Sequence, residues 1–455
     1  MKVFADPAVD RRFGRVQWRM LIATMIGYTL FYFMRKNFSF AMPGLQQDCG
    51  ITKSMLGNFL FWGGIVYGVS KFANGIVGDK VAPKKMFCFG LLACMLVNAA
   101  FGFAPQIAGL FSGGTSAQLP CSATALAWTL GFLLVINQFF QGTGFPPCAK
   151  LIAFWVPPKE LATKMSVWNT SHSVGGGLVA KVCGIIMGVG VIGSANQGVG
   201  MWRWCFWSMA IFALIGLVLM LAFLPGTPKE EGLPDLPGTE NLPSGNGEPV
   251  PDKGELFRRV FFNPVILMLG AINFTINAVR ALVADWGPMM LQEAKAFTPG
   301  ETGTIVMFFE FAGIGGMLFA GWATDRFFGG RAPRLCVFLM ALTAVFLAGF
   351  WFLPSGAAGA VLLCLGGFCL YGPQALTGVS ATNLATKRFA GTAIGFISLF
   401  SYIGVSVAGK VCGALAESSG GWRLPLLAMA ATAVVGAVLF ACLWQVRADA
   451  YEKRI

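Results

Sequence analysis

Long apolar runs separated by short polar stretches recur along the whole chain. A run of about 20 apolar residues is long enough to cross a bilayer as a helix. The pattern predicts twelve such helices, at 19–43, 57–78, 86–105, 124–147, 165–190, 202–224, 261–290, 302–322, 333–353, 357–380, 390–415 and 422–446. We therefore predict an all-α membrane protein with twelve transmembrane helices.

One polar segment, residues 225–258, breaks this rhythm and divides six predicted helices from six. It contains seven prolines among glycines and glutamates and has no hydrophobic period, which is typical of a linker. The predicted domains are an N-terminal six-helix half (1–224), a cytoplasmic linker (225–258) and a C-terminal six-helix half (259–455).

Two short motifs occur once in each predicted half. GIVGDK at 75–80 follows the second predicted helix, and GWATDR at 321–326 follows the eighth, 246 residues later. KVCG occurs at 181–184 in the fifth helix and at 410–413 in the eleventh. These pairs indicate two homologous, pseudo-symmetric halves. Parallel repeats of this kind place a substrate site between the halves, near the middle of the bilayer.

Composition agrees with a membrane protein and excludes several other classes. Hydrophobic residues make up 56% of the chain and charged residues only 12%, whereas soluble domains carry about 25% charged residues. The 12 cysteines are dispersed without a CxxC pair, and His172 is the only histidine, so we predict no metal site and no cofactor. No Ser/His/Asp set or carboxylate pair is expected in a water-accessible cleft, so we do not predict an enzyme.

The basic residues outside the predicted helices are unevenly divided between the two sides of the membrane. One set of loops and termini holds 23 of them, and the opposite loops hold only four: Lys53, Arg203, Lys295 and Arg423. Cytoplasmic loops are the ones enriched in Lys and Arg, so both termini are predicted to be cytoplasmic. The net charge of +13 is thus explained by topology, and no nucleic-acid partner is needed. Short loops and this strong bias favour a bacterial inner membrane, with an endoplasmic-reticulum location as the alternative.

Basic residues also lie inside the predicted helices, where charges are rare. There are six of them: Arg35, Lys36, Lys71, Lys181, Arg280 and Lys410. The same helices offer only Glu310 and Asp285 as acidic partners. A charge at the centre of a membrane helix costs roughly 2.5–3.5 kcal/mol on insertion scales. We therefore predict that an anionic substrate supplies the missing negative charge.

The two arginines are 245 residues apart, within one residue of the repeat offset, so they occupy matching positions in the first helix of each half. Tyr32 and Tyr28 share the helix face of Arg35, and Asn277 and Asn273 share that of Arg280. A guanidinium matches phosphate bidentately and stays charged at any relevant pH. The pattern predicts a phosphate clamp. The alternative is an internal salt bridge, for example from Arg280 to Asp285 or Glu310.

Three other basic side chains have weaker interpretations. His172 shares a helix face with Asn169; it is either a structural residue or a group that responds to the protonation of phosphate. Lys181 and Lys410 lie more than two turns further along their helices than His172 and Tyr402, which favours side chains that extend toward the membrane interface.

Several longer segments resemble the organophosphate:phosphate antiporters of the major facilitator superfamily. The resemblance to the superfamily as a whole lies in the GxxxD[KR] loops at 75–80 and 321–326. The resemblance to the antiporters in particular lies in six segments: YTLFYFMRKNFSFAMP at 28–43, YGVSKF at 67–72, QGTGFPPC at 141–148, WNTSHSVGGG at 168–177, DWGP at 285–288 and LYGP at 370–373. The similarity covers nearly the whole chain outside the linker.

This resemblance implies a major facilitator fold and obligatory exchange of an organophosphate for inorganic phosphate. It implies that Arg35 and Arg280 hold the phosphate with help from His172. Residues matching positions that line the family's cavity are Tyr32, Asn169, Tyr371 and Tyr402. Two departures stand out: Phe31, where some members have a second tyrosine, and Lys410, where glycerol-phosphate members lack a lysine.

The preferred function is a sugar-phosphate:phosphate antiporter working by a rocker-switch, with glucose-6-phosphate as the preferred sugar phosphate. Its predicted substrate-binding residues also include Lys36, Asn277 and Gln141; the amides, with Asn273 and Gln138, suit a polyhydroxylated hexose. The partners are thus the organophosphate, inorganic phosphate and the lipid bilayer, and we expect a monomer. The alternatives are a membrane sensor of hexose phosphate that signals to a histidine kinase and a glycerol-3-phosphate:phosphate antiporter. A proton-coupled sugar or drug transporter would instead require acidic residues in the first-half helices, and none lies within them.

Overall fold

The computed structural model describes residues 4, 6–112, 121–193, 200–236, 260–354, 356–384 and 386–446. Regular structure within these ranges is helical, and they contain no strand. Most of the predicted linker, from 237 onward, lies outside the described residues.

The first part of the chain forms eight α-helices and one short 3₁₀ turn in the described ranges. The helices are α1 (Pro7–Cys49), α2 (Lys53–Lys80), α3 (Pro83–Gly102), α4 (Ala104–Ser112), α5 (Ala123–Gln141), α6 (Phe145–Trp155), α7 (Pro158–Gly193) and α8 (Trp204–Phe223), with the 3₁₀ turn at Met201–Arg203. The predicted run 124–147 is broken: α5 ends at Gln141, and α6 restarts at Phe145. Two prolines at 146–147 explain the restart, because proline fits the first turn of a helix but not its interior.

The second part continues in the same way after residue 260. Its helices are α9 (Pro264–Ala284), α10 (Gly287–Lys295), α11 (Pro299–Phe327), α12 (Ala332–Phe352), α13 (Ala357–Leu384), α14 (Thr386–Ser418) and α15 (Arg423–Cys442). Asn263 caps α9 through its side-chain oxygen, and a capping box between Thr298 and Glu301 begins α11. The predicted run 261–290 is interrupted at Asp285 and Trp286, where α9 ends and α10 begins two residues later.

Ten helical stretches in the described residues are long and apolar enough to cross a membrane. They correspond to the third through twelfth predicted spans. The 43 residues of α1 and the 28 of α2 are also long enough, but polar residues such as Arg35, Lys36 and Lys71 lower their mean hydropathy. An all-helical membrane fold is thus confirmed. The count of twelve spans and the pseudo-symmetry of two halves stay predictions.

The chain divides into two compact units. Unit 1 comprises 1–38, 69–179 and 202–249, and unit 2 comprises 39–68, 180–201 and 250–455. The boundaries fall within α1, α2 and α7, so each of these helices contributes residues to both units. The predicted division at 225–258 separates sequence repeats and is a different partition, which stays a prediction.

The described start of the predicted linker is attached to unit 1. Trp155 donates a hydrogen bond from its indole nitrogen to the carbonyl of Gly226 over 2.8 Å. Arg12 donates to the backbone oxygen of Glu231 over 3.0 Å, and the carboxylate of Glu231 lies 2.9 Å from Nη2 of Arg19. These contacts hold residues 226–231 against the beginning of α1.

Candidate substrate-binding site

Arg35 lies on α1 in unit 1, where a neighbouring amide and an aromatic ring fix its guanidinium. Its Nε donates a hydrogen bond to Oε1 of Gln141 over 3.1 Å. The same amide donates from Nε2 to the backbone oxygen of Phe31 over 3.0 Å. The guanidinium carbon lies 4.6 Å from the ring centroid of Tyr32, a cation–π distance. Gln141 and Tyr32 together therefore set the plane of the Arg35 side chain.

A buried network of three asparagines holds α1 next to this arginine. Asn98 on α3 and Asn137 on α5 both donate to the backbone oxygen of Met34, over 3.3 and 2.9 Å. Asn37 donates to Oδ1 of Asn98 over 2.7 Å, and Asn98 donates to Oδ1 of Asn137 over 3.2 Å. Interhelical amide bonds of this kind fasten membrane helices to one another. Here they fix the turn of α1 that carries Arg35 and Lys36.

His172 lies on α7, against the same face of α1. Its ring centroid is 5.9 Å from that of Tyr32, and its Nδ1 contacts the backbone oxygen of Asn169, one turn earlier. Close approach of α7 to α1 needs Gly175, because a methyl group there would lie 2.7 Å from Cβ of Tyr32. The predicted residues Tyr32, His172 and Arg35 are thus brought together in unit 1, and the Asn169 side chain is exposed beside them.

Arg280 lies on α9 in unit 2 and forms an ion pair with Glu310 of α11. Nη2 of Arg280 is 3.1 and 3.3 Å from the two carboxylate oxygens of Glu310, which is only 2% exposed. Tyr371 of α13 accepts a hydrogen bond from Nε of Arg280 over 2.7 Å and donates one to Glu310 over 2.6 Å. The internal salt bridge that the sequence left open for Arg280 is therefore present, with Glu310 as the partner.

The asparagines on the Arg280 face of α9 already have hydrogen-bond partners within unit 2. Asn277 donates to the backbone oxygen of Asn273 over 2.9 Å and to its side-chain oxygen over 3.1 Å. Asn273 in turn donates to the backbone oxygen of Ile397 on α14 over 3.1 Å. Both side chains are buried. The Asn273 donor supports the packing of α9 on α14, and the role of both asparagines in binding a sugar stays a prediction.

Tyr402 of α14 lies edge-on to Tyr67 of α2, with ring centroids 5.0 Å apart, and both residues belong to unit 2. In unit 1, the ammonium group of Lys71 lies 4.5 Å from the ring centroid of Phe145. Lys36 is half-buried beside Arg35 on α1. The sequence identified Lys71 only as a cation in need of a partner and did not predict its aromatic contact.

The two lysines of the repeated KVCG motif have different surroundings. Lys181 donates a hydrogen bond to Oγ1 of Thr304 over 2.7 Å. Lys410 is exposed, with its ammonium group 5.4 Å from the ring centroid of Phe61. Within unit 2, Lys181 therefore has a specific polar partner on α11 that its position in the sequence did not predict.

The arginine sites have a common geometry. In each, Nε is bonded to an uncharged side chain, Gln141 or Tyr371, and the guanidinium carbon lies 4.6 or 4.7 Å from a tyrosine ring. A guanidinium whose plane is fixed loses less side-chain entropy when it binds an oxyanion. Such sites suit phosphate or carboxylate groups. In the described residues, no group of three or more His, Cys, Asp or Glu side chains could hold a metal ion.

Comparison with known proteins decides the family. The sequence profile of the Major Facilitator Superfamily matches residues 24–409. The chain belongs to this superfamily. Its relatives place it among the organophosphate:phosphate antiporters of the superfamily. It is 31% identical to the glycerol-3-phosphate transporter of Bacillus subtilis, covering 96% of this chain and 95% of the relative.

Two further relatives of this superfamily member carry different functional names. The probable hexose phosphate transport protein of Chlamydia pneumoniae is 34% identical, covering 96% of this chain and 93% of its own length. The membrane sensor protein UhpC of Escherichia coli is 30% identical, with 88% and 86% covered. The fold is similar to the inward-open xylose transporter XylE of E. coli, with a TM-score of 0.73 at 13% identity over 96% of this chain and 98% of that one. The chain is therefore a multi-pass membrane protein whose relatives include a glycerol-3-phosphate transporter and a probable hexose phosphate transport protein.

Proposed function

We propose that the protein exchanges a sugar phosphate, preferably glucose-6-phosphate, for inorganic phosphate. The observation that carries the proposal is the matched geometry of Arg35 and Arg280. Both arginines occupy equivalent positions in the predicted repeat, and both have a guanidinium fixed by an uncharged hydrogen-bond partner and a tyrosine ring. In this proposal both bind the phosphate, with Tyr32, Lys36 and His172 beside the first arginine.

The Arg280–Glu310 pair gives the proposed site a way to release its substrate. A phosphate that binds Arg280 has to compete with the carboxylate of Glu310, which is 3.1 Å away and buried. When the phosphate leaves, the carboxylate is in place to balance the guanidinium charge, so that no buried charge is left without compensation. Tyr371 hydrogen-bonds to both Arg280 and Glu310, and we propose that its hydroxyl reorients when phosphate replaces the carboxylate.

The mechanism we propose is a rocker-switch that depends on substrate. Glu310 balances Arg280 in the substrate-free site, so nothing there draws the two like-charged guanidinium groups together, whereas a phosphate dianion attracts both of them at once. The predicted halves therefore close around the site only when substrate is bound. A ligand shifts a conformational equilibrium only through such a difference in affinity between the two states. Obligatory exchange follows, because the substrate-free site resists the transition.

Contacts that a rocker-switch would have to break lie within unit 2, between ends of α2 and α7 and helices that follow residue 260. A methyl group at Gly184 would lie 2.7 Å from the carbonyl oxygen of Pro299, and one at Gly413 would lie 2.5 Å from that of Lys53. These are the glycines of the two KVCG motifs. Lys53 also pairs with Glu293 over 2.9 Å. We propose that this repeated motif supplies the close helix contacts that separate when the transporter opens on the side of Lys53, the predicted non-cytoplasmic side.

The preference for a hexose rests on the polar side chains near the site and on the hexose phosphate relative. A glycerol-3-phosphate substrate is the alternative favoured by the Bacillus relative. The sensor function is the alternative favoured by the E. coli relative. We also propose, from the distribution of basic residues, a bacterial inner membrane with both termini cytoplasmic, and a monomeric state. Asn169, Asn277, Gln141, Tyr371 and Tyr402 complete the proposed site.

The test is uptake of labelled phosphate into proteoliposomes loaded with phosphate, with unlabelled competitor outside. Competition by glucose-6-phosphate at a far lower concentration than glycerol-3-phosphate supports the hexose phosphate antiporter. Equal competition keeps antiport and removes the sugar preference. Absence of exchange, with hexose phosphate still bound by the purified protein, excludes antiport and supports the sensor.

A further inference from the structure

Gln141 is the last residue of α5, and it is fully buried. Its side chain connects two points of α1: the Arg35 guanidinium, from which it accepts a hydrogen bond, and the Phe31 carbonyl, to which it donates one. Residues 31 and 35 are one helical turn apart, so the amide bridges consecutive turns of the same face. Both the oxygen and the nitrogen of this amide are therefore engaged with the helix that carries the arginine.

The bond to Arg35 uses Nε, the donor closest to the aliphatic part of the side chain. Nε is bonded to Gln141 of α5, and the guanidinium carbon lies 4.6 Å from the ring centroid of Tyr32 on α1. These two contacts, from different helices, set the plane of the guanidinium. The direction in which the terminal nitrogens point then follows from the planarity of the guanidinium. A side chain that acts on Arg35 in this way has no need to touch the substrate.

We infer that Gln141 is a positioning residue that orients Arg35 for phosphate and does not itself bind the sugar. This inference rests on the proposed function, because it assigns Arg35 to the phosphate. In unit 2 Tyr371 makes the corresponding contact, because its hydroxyl accepts a hydrogen bond from Nε of Arg280. The sequence grouped Gln141 with polar residues that suit a polyhydroxylated substrate, whereas its burial and its two contacts favour the role through Arg35.

A glutamine serves this role better than the residues that resemble it. Methionine has a similar length but provides neither the acceptor for Arg35 nor the donor for Phe31. Glutamate keeps an acceptor but would place a full negative charge about 3 Å from the guanidinium and reduce its attraction for an anion. The two substitutions Gln141→Met and Gln141→Glu therefore separate loss of orientation from loss of charge.

Gln17 provides a matched control on α1. It is buried, donates to the carbonyl of Trp155 and accepts from the ammonium group of Lys164, so it too connects a cation to a backbone oxygen. It lies 18 residues before Arg35 in the sequence, which is about 27 Å along a helix. Gln17→Met therefore removes an equivalent pair of buried hydrogen bonds without affecting the arginine.

The experiment measures KM and kcat for exchange in proteoliposomes, with inorganic phosphate and with glucose-6-phosphate as the external substrate. For Gln141→Met we expect KM to rise about tenfold for both substrates alike, as expected for losing a hydrogen bond to a charged group, with kcat within about twofold. For Gln141→Glu we expect a larger rise, again for both. Gln17→Met should leave both KM values unchanged while lowering the thermal stability of the purified protein.

Four results would overturn the inference. A change in KM for glucose-6-phosphate alone would make Gln141 a sugar contact. Unchanged KM values with a lower melting temperature, as for Gln17→Met, would make it purely structural. If the wild-type protein binds phosphate but does not exchange it, the antiport proposal fails; the variants are then compared by equilibrium binding of phosphate, where equal affinities overturn the positioning role. Absence of phosphate binding by the wild type overturns both.

Discussion

Arg280 and Glu310 form a buried ion pair in which Nη2 lies 3.1 Å from Oε1, and Tyr371 is hydrogen-bonded to both partners. Arg280 on α9 and Glu310 on α11, with 29 residues between them in the sequence, thus provide opposite charges, and α13 provides the hydroxyl between them. Such a pair is a weak source of net stability, because desolvation offsets most of the attraction. Its value in a transporter is that it gives a cationic site a charge-balanced alternative to its anionic ligand.

Removing the carboxylate should therefore make the protein dependent on phosphate for stability. For Glu310→Gln, we expect a lower melting temperature without ligand, since breaking a buried ion pair costs about 3–5 kcal/mol. Inorganic phosphate should raise the melting temperature of Glu310→Gln more than that of the wild type, because it restores the missing charge. Thermal unfolding of the detergent-solubilised protein with and without phosphate measures both effects. An equal shift in the two proteins would contradict the proposed competition between Glu310 and phosphate.

Substituting either arginine by lysine should abolish exchange while the protein still folds. Arg35→Lys and Arg280→Lys keep the positive charge but lose the planar fork and the Nε hydrogen bonds to Gln141 and Tyr371. We expect exchange to fall more than a hundredfold, with wild-type amounts of protein in the membrane. Labelled phosphate exchange, normalised to protein content, is the measurement.

Arg334 is the matched control for these substitutions. Its Nε donates to the carbonyl of Trp444, and its guanidinium carbon lies 5.3 Å from the ring of the same residue. Arg334→Lys therefore loses a similar pair of contacts outside the proposed site, and exchange should stay within about twofold of the wild type. Robust exchange by either Arg35→Lys or Arg280→Lys would exclude the phosphate clamp.

The sequence could predict the helical fold, and it singled out Arg35 and Arg280 as candidate site residues, because both inferences follow from local pattern. Apolar runs and misplaced charges are visible without knowing which helices pack together. The partner of Arg280 could only be narrowed to Asp285 or Glu310, since the choice depends on how α9 packs against α11. The engagement of Gln141 was not predictable in the same way, because a buried amide has the same sequence signal as one that lines a cavity.

The breaks at 142–144 and 285–286 show a second limit of the sequence. Hydropathy continues through both positions, so a single apolar run was predicted in each case. Local chemistry ends the helices there: Pro146 and Pro147 restart α6, and Pro288 lies near the start of α10. The prolines marked where a helix could be interrupted, but their positions did not show whether the helix would stop or continue. The helix α13, for example, continues through Pro373.

The buried asparagine network should contribute to the stability of unit 1. Asn98→Leu removes the bonds from Asn98 to Met34 and Asn137 and leaves Asn37 without one of its acceptors. We expect a loss of about 1–3 kcal/mol in unfolding free energy, because buried polar groups lose their partners. Thermal or denaturant unfolding of the purified protein measures it.

Asn74→Leu is the control for this substitution. Asn74 donates to the backbone and side-chain oxygens of Ser70, one turn earlier on α2, so this substitution breaks bonds within a single helix. We expect its effect on stability to be less than half that of Asn98→Leu. Equal losses of unfolding free energy in the two variants would show that the bonds joining α1, α3 and α5 contribute no more to stability than bonds within one helix.

The close contact at Gly413 should control how readily the α2–α14 interface separates. Gly413→Ala would place a methyl group 2.5 Å from the carbonyl oxygen of Lys53, so the helices must move apart at a cost of about 1–3 kcal/mol. We expect a lower melting temperature and slower exchange. Gly395→Ala on the same helix meets no atom within 4 Å, and should leave both unchanged or raise stability slightly, since alanine favours a helix. Equal behaviour of the two variants would exclude Gly413 from the helix contacts that we propose to separate during transport.

Charge reversal tests the neighbouring ion pair in the same assays. Lys53→Glu places a second carboxylate beside Glu293 and should impair exchange. The double variant with Glu293→Lys should recover exchange, because the 2.9 Å pair is restored with opposite polarity.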